Sequence, residues 1–251
     1  MAELFDFVLR LAFGLALAMA LTSPRQVTAG FYRNHSYVLL GLFVLGLMVA
    51  IQHEQHEAIA IAAAGVALSY ASSVAWLYER KALGVLLLGL TSATALLGAC
   101  HGLMPDDSAG DPLARFLDRM DPVTSGLLLG TTIAAMFLGH WYLNTPTMRI
   151  GPLRKLIMMM LFAVLLRMAS SAVGLWYEVG SGNLDQFQWI FLALRWLSGF
   201  GFPLLLIWMA WKTLDIPNTQ SATGILYVAV ITTFTGELTS LLLSTGTTFP
   251  L

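Results

Sequence analysis

Three ionisable residues interrupt long apolar stretches of the sequence: Arg167, Arg195 and Glu237. A charge at the depth of the lipid hydrocarbon is costly, so such residues indicate a functional or structural role and need a partner. Residue counting along the stretches places all three at a similar depth, in the same half of a membrane. A short turn joins the stretches of Arg195 and Glu237, and we therefore predict an ion pair between these two residues.

Besides Arg195, the arginines within apolar stretches are Arg167 and Arg10. Neither has an evident carboxylate partner in the sequence. A spare guanidinium favours an anionic ligand: a haem propionate, a quinone oxygen, a lipid phosphate or a transported anion. The alternative is purely structural. In that case Arg195 and Glu237 only hold helices together, and Arg167 donates hydrogen bonds to backbone carbonyls.

Three histidines, His53, His56 and His101, are predicted to lie at one end of the membrane-spanning stretches. The string from His53 to His56 has one residue too few between its glutamate and its second histidine for a zinc-protease helix, which excludes that chemistry. A haem b held by two imidazoles needs histidines at equal depth on neighbouring helices, and these residues fit that requirement. Polar residues at helix ends are the alternative interpretation.

A second group of chemistry-bearing side chains lies at the opposite end of a predicted span: His140, Trp141, Tyr142 and Asn144. Together they supply hydrogen-bond donors and acceptors beside an aromatic surface. A quinone head group is a flat ring whose two carbonyls take up and release protons, and histidine is a natural proton partner near neutral pH. The four residues therefore predict a quinone site, with an aromatic belt and an interfacial histidine as the alternative.

The composition decides the class of protein that must position these residues. Of the 251 residues, 57% are hydrophobic and only 11% are charged, against roughly 25% charged in soluble domains. The mean hydropathy is +0.75. So few charges cannot cover a soluble surface, and we predict an all-α, polytopic membrane bundle. The net charge of -1 lacks the strong positive excess that is typical of nucleic-acid-binding proteins. The single cysteine, Cys100, excludes an internal disulfide.

Eight apolar runs are long enough to cross a hydrocarbon core of roughly 30 Å, and they predict a single transmembrane domain. Their predicted bounds are about 4–22, 37–53, 58–78, 82–100, 122–143, 155–177, 187–211 and 221–243. The one long connection contains an amphipathic stretch that begins with proline, which predicts a short helix on the membrane surface at about 111–120. Pro203 predicts a kink in the seventh span.

Basic residues outside the spans are distributed unevenly between the two sides of the membrane. With eight spans, both termini lie on one side. That side carries Arg115 and Arg119, whereas the opposite side carries Arg25, Arg33, Arg80, Lys81, Arg149, Arg154, Lys155 and Lys212. The positive-inside rule then predicts a bacterial-type inner membrane protein with both termini in the periplasm. The first seven residues are acidic rather than basic, so we expect the first span to be a mature helix rather than a signal peptide.

We expect the chain to be an integral membrane subunit of a respiratory or photosynthetic-type redox complex that binds quinone, haem b or both and anchors partner subunits. Its loops are too small for a catalytic domain, so any oxidoreductase activity needs those partners. Besides lipids, a basic partner subunit is expected to dock on the acidic residues of the outer side. These are Asp106, Asp107, Asp111, Asp118, Asp121, Glu178 and Asp185. In overall design the chain is similar to compact eight-helix quinol-interacting anchors of bacterial molybdenum and sulfur-compound oxidoreductases, although no motif carries this likeness.

Two other functions fit the same sequence. The first is a small ion or solute transporter or channel, in which Arg167, Arg195 and Glu237 line the path and Pro203 forms the gate. The second is a non-catalytic scaffold subunit that binds lipids and fills an interface in a larger membrane assembly.

Overall fold

The computed structural model describes residues 2–101, 112–145, 147–181, 186–216 and 218–244. These residues are helical almost throughout, and no strand occurs among them. Eight of their helical segments are long and apolar enough to cross a membrane. The predicted class, an all-α polytopic bundle, is therefore confirmed.

The helices follow the chain with short connections. They are α1 (Ala2–Leu21), α2 (Ala29–Gln52), α3 (His56–Leu77), α4 (Lys81–Ala99), α5 (Pro112–Asn144), α6 (Gly151–Ser181), α7 (Gln186–Trp196), a π-helical turn (Leu197–Gly201), α8 (Phe202–Thr213) and α9 (Thr219–Ser244). The segments from α7 to α8 together form one span.

The centre of the bundle is formed by α1 and α5, the two most buried spans. α1 packs against α2, α4 and α5, and α5 packs against α1, α6 and α9. Their crossing is made by Gly14 on α1 and by Gly126 and Gly130 on α5, because a Cβ atom at any of the three would overlap the backbone of the facing helix. Small residues that let two backbones approach are a common basis of helix association in lipid.

α5 differs from its prediction because it is one continuous helix. The surface helix predicted at about 111–120 and the span predicted at 122–143 are joined through Pro122. Proline has no N–H for the carbonyl four residues earlier and ordinarily ends or kinks a helix. Asp121, which directly precedes this proline, is buried, and its ion pairs with Arg10 of α1 and Arg167 of α6 stabilise the helix at this point. Residue 111 lies outside the described residues.

Two further boundaries differ in ways that matter for the site. α2 begins at Ala29 instead of near residue 37. Phe31 and Tyr32 are buried in the core, and their burial stabilises the additional turns at the start of the helix. The kink predicted at Pro203 takes the form of the π-helical turn that immediately precedes α8. π-helical turns are found frequently at functional sites.

The acidic outer surface predicted to dock a partner is smaller than expected. Asp121 and Glu178 lie within α5 and α6 and are buried, so neither is available to a soluble partner. Asp118 lies on α5 and is half-buried. The other four, Asp106, Asp107, Asp111 and Asp185, lie outside the described residues.

Candidate functional site

Five charged side chains from five helical segments meet inside the bundle, and we call this group the charge network. Its members are Arg10 of α1, Asp121 of α5, Arg167 of α6, Arg195 of α7 and Glu237 of α9. Each is at most 9% exposed. Removing five charges from water is expensive, so their mutual contacts must compensate.

Arg167 occupies the middle of the charge network and contacts both carboxylates. Its Nη1 group donates a hydrogen bond to Asp121, and its Nη2 lies 3.1 Å from Oε2 of Glu237. The same guanidinium donates to the hydroxyls of Thr124 and Ser240, each at 3.2 Å. The planar fork of arginine suits this arrangement because its five N–H groups serve several acceptors at once.

The two carboxylates each bridge a pair of arginines. Asp121 accepts from Arg10 through one oxygen and from Arg167 through the other. Glu237 lies 2.9 Å from Nη2 of Arg195 through Oε1, besides its contact with Arg167. The structure thus brings together the three residues of the predicted cluster and places the predicted Arg195–Glu237 pair in contact.

The expectation that Arg167 and Arg10 have no carboxylate partner is wrong, because Asp121 serves both. The predicted span begins at 122, which leaves Asp121 among the acidic residues of the outer side. A signal was present nevertheless. Asp121, Thr124 and Ser125 are spaced by three and four residues, which puts them on one helix face.

Arg195 is the least satisfied member of the charge network. It is fully buried, and none of its three side-chain nitrogens makes an aligned hydrogen bond with the described residues. Its guanidinium lies over the ring of Phe200, 4.3 Å from the centroid. Its Nη1 lies against the backbone where Gly199 and Gly236 approach each other, so any Cβ atom at Gly199 would collide with it. The close packing of the π-helical turn on α9 therefore fixes this side chain.

We expect Asp121→Asn to lower the free energy of unfolding by about 2 kcal/mol, because a neutral amide no longer balances two guanidiniums. The loss is moderated because 12% of this side chain remains exposed. Unfolding by SDS in mixed micelles measures it. Asp118→Asn, one turn earlier on α5, is the matched control and should change little; an equal loss in both variants would contradict the role given to Asp121.

The structure does not gather the four residues of the predicted quinone site, His140, Trp141, Tyr142 and Asn144, around one space. Tyr142 is buried, and its hydroxyl donates a hydrogen bond to the carbonyl of Arg149. The indole N–H of Trp141 donates to the hydroxyl of Thr28 at 2.9 Å. These two polar groups are therefore already engaged in structural contacts.

His140 and Asn144 lie on the exposed side of the same helix turn. The His140 ring approaches the hydroxyl of Tyr227 on α9, with 3.3 Å between Nδ1 and the oxygen. Successive residues of a helix are turned by about 100° from one another, so Tyr142 lies on the opposite face from His140 and Asn144 and cannot face the same ligand.

The three predicted haem ligands lie at helix ends. His53 follows α2 and His56 begins α3, and both are exposed. His101 lies just after α4, with its Nδ1 3.5 Å from a carboxyl oxygen of Glu57. Cys100 is adjacent, but burial raises the pKa of its thiol and keeps it protonated near neutral pH, which makes it a poor metal ligand. Within the described ranges, no group of three or more histidine, cysteine, aspartate or glutamate residues could hold a metal ion.

One histidine near the start of α2 is buried in the bundle. His35 lies within α2 and is only 9% exposed. Its ring lies between Phe31 and Phe137, at centroid distances of 4.4 and 4.5 Å. Its Nδ1 is 2.6 Å from the Phe31 carbonyl oxygen, to which it donates. Because α2 begins at Ala29, this ring lies within the helix and packs in the bundle.

An apolar groove opens to the lipid between α6 and α7, and we call it the tryptophan groove. It is lined mainly by Leu175, Trp176 and Val179 of α6 and by Trp189, Leu192 and Trp196 of α7. It consists of two adjoining depressions of about 450 and 310 Å³. The groove exists because α7 packs against α9 and leaves α6 unfilled on this side.

The tryptophan groove is connected to the charge network by direct contacts. Trp196, which forms its inner wall, packs edge-on against Phe200 with 5.2 Å between centroids. Phe200 in turn carries the Arg195 guanidinium on its face. The lining of the groove is almost wholly apolar, so Trp176, Trp189 and Trp196 contribute mainly the surfaces of their rings to its walls.

No family model, no curated protein and no solved structure matches this chain, so no function passes to it from a relative.

Proposed function

We propose that the chain is a quinone-binding integral membrane subunit of a redox complex and that the tryptophan groove receives the quinone ring. The observation that carries this proposal is an apolar, lipid-facing groove whose walls include three indole rings. Its volume lies within the range of about 300–1,000 Å³ found for small-molecule sites.

The flat walls of the groove suit a quinone ring. Indole rings offer flat surfaces for stacking on a quinone ring. The groove opens towards the lipid, so an isoprenoid tail can remain in the hydrocarbon while the ring lies against Trp176 and Trp196.

Arg195 is the member of the charge network that approaches this groove, through Phe200 and Trp196. The network as a whole contains three guanidiniums and two carboxylates, and Asp6 lies one helical turn before Arg10 on α1. Arg195 is the member closest in sequence to the groove and has the fewest hydrogen bonds. A positive charge at low dielectric favours electron-rich oxygens nearby. We propose that Arg195 acts on the ligand through Phe200 and Trp196, which separate it from the groove.

Quinone is favoured over haem as the ligand of this chain. Two imidazoles that hold a haem must face a common space between helices, whereas His53 and His56 are exposed and His101 faces Glu57. The groove is likewise favoured over the group around His140, because two of those side chains already make hydrogen bonds within the protein.

The remaining parts of the proposal concern location and partners. The excess of basic residues on the side opposite the termini supports a bacterial-type inner membrane with periplasmic termini. In this orientation the tryptophan groove lies in the periplasmic half of the membrane. The exposed aromatic and aliphatic side chains of α7, Phe187 and Ile190 among them, are the surface that we propose for a partner subunit.

We expect quinone to be extracted with the purified protein, and we expect Trp196→Leu to weaken quinone binding about tenfold through loss of the stacking face. Binding is measured with a short-chain quinone by the shift in thermal unfolding. Trp208→Leu, at an exposed position on α8 away from the groove, is the matched control and should bind normally. Equal binding by the wild type and both variants would overturn the proposed site.

The second candidate, a non-catalytic scaffold subunit, is favoured by the charge network itself, because the network ties five helical segments together. The extraction experiment separates the two functions. Protein purified with its partner subunits but without quinone, and showing no thermal shift with added quinone, would favour the scaffold.

A further inference from the structure

A second groove lies on the lipid-facing side between α3 and α4, at the end of the bundle opposite the tryptophan groove, and we call it the hairpin groove. It is lined mainly by Tyr70, Val74 and Tyr78 of the α3 side and by Arg80, Leu83 and Leu87 of the α4 side. Its volume is about 930 Å³, at the upper end of the range of small-molecule sites.

The hairpin groove is polar at one end and apolar along the rest. Its polar end is the tight connection between α3 and α4, where Tyr78 and Arg80 flank Glu79. Glu79 adopts a left-handed backbone conformation with φ of 53°, which turns the chain sharply and places Arg80 at the mouth of the groove. Away from this turn, the floor is aliphatic and follows the two helices into the bundle.

The charge at the mouth is net positive, because Arg80 and Lys81 outnumber Glu79. Arg80 is exposed and forms no ion pair in the described part of the chain, not even with the adjacent Glu79. Lys81 begins α4 beside it, and the first turn of a helix adds the partial positive charge of its free N–H groups. An exposed phenol at Tyr78 provides a further hydrogen-bond donor.

We infer that the hairpin groove binds an anionic phospholipid, with its phosphate at Arg80 and one acyl chain along the aliphatic floor. The inference is independent of the proposed quinone function. A phospholipid fits because the groove combines a cationic mouth at a helix end with an apolar floor parallel to the spans. Basic side chains near the membrane surface attract anionic head groups, and the flexible aliphatic stem of arginine keeps its charge at that level.

Native mass spectrometry of the detergent-purified protein, titrated with phosphatidylglycerol or phosphatidylcholine, tests this inference. We expect preferential retention of phosphatidylglycerol and an affinity about fivefold lower in Arg80→Gln. Lys212→Gln is the matched control, because Lys212 is a basic, exposed residue on the same side of the membrane and outside the groove. It should retain phosphatidylglycerol as the wild type does. Tyr78→Phe, which keeps the ring, provides a second variant should Arg80→Gln fold poorly.

The acyl-chain part of the inference has its own test. Ala71, on the floor of the groove, is replaced by tryptophan to fill the space. We expect Ala71→Trp to lower phosphatidylglycerol retention, and we expect millimolar inorganic phosphate not to displace the lipid from the wild type. Equal retention of the two lipids, an equal effect of Lys212→Gln, or displacement by inorganic phosphate would each overturn the phospholipid site.

Discussion

Glu237→Gln is expected to lower the free energy of unfolding by about 4 kcal/mol, which is among the largest effects we predict for any single substitution in this chain. Glu237 is 1% exposed and lies between the guanidiniums of Arg167 and Arg195. Removal of its charge leaves Arg195 without a counter-ion inside the bundle, and breaking one partner of a buried pair typically costs several kcal/mol. SDS-induced unfolding in mixed micelles measures the change.

The control and the rescue make this prediction specific. Glu54→Gln, at an exposed position beyond α2, removes the same charge and should leave stability almost unchanged. Glu237→Leu combined with Arg195→Leu removes both partners, and we expect the double variant to be more stable than Glu237→Gln, because no unpaired guanidinium remains at that site. A double variant whose loss of stability equals the sum of the losses in Glu237→Leu alone and Arg195→Leu alone would show that the two residues do not act as a pair.

The fold could be predicted from the sequence because the bilayer imposes lengths on it. Each span needs about 20 apolar residues, and runs of that length separated by glycine, proline or charge are visible in a single sequence. The count of eight is confirmed. What the hydropathy pattern did not show was where a polar segment remains helical. α2 and α5 both continue through segments that were predicted to lie outside the spans.

The partners within the charge network could be predicted only in part. Arg195 and Glu237 lie on spans joined by a short connection, so their contact follows from adjacency along the chain. Asp121 meets Arg10 from a helix more than a hundred residues away, and no local pattern specifies that contact. The tryptophan groove was missed for a related reason, since it depends on α7 packing against α9 and away from α6.

The charge network and the two proposed ligand grooves occupy different parts of the bundle. The network holds α1, α5, α6, α7 and α9 together in the interior, whereas the grooves lie between α6 and α7 and between α3 and α4. Of the two grooves, the tryptophan groove contacts the network, through Trp196 and Phe200. We therefore expect variants of the hairpin groove to change ligand binding while the stability of the bundle is retained.

Gly14→Ala is the second substitution with a large expected effect, because the crossing of α1 and α5 has no space for a methyl group. A Cβ atom at Gly14 would overlap the carbonyl oxygen of Gly126 and lie against the backbone of Gly130. Backbone atoms cannot rotate away as a side chain can, so the two central helices must separate. We expect a loss of about 3 kcal/mol or more in the free energy of unfolding, measured with SDS in mixed micelles.

Gly89→Ala is the matched control for this last prediction. It makes the same chemical change on α4, where no heavy atom lies within 4 Å of the added methyl group. Alanine favours the helix over glycine by up to about 1 kcal/mol, so Gly89→Ala should leave stability unchanged or raise it slightly. The opposite signs of the two effects would separate close packing from helix propensity. A Gly14→Ala variant as stable as Gly89→Ala would mean that the backbones of α1 and α5 are not in contact. The ion pair between Arg10 of α1 and Asp121 of α5 would then lose its structural basis.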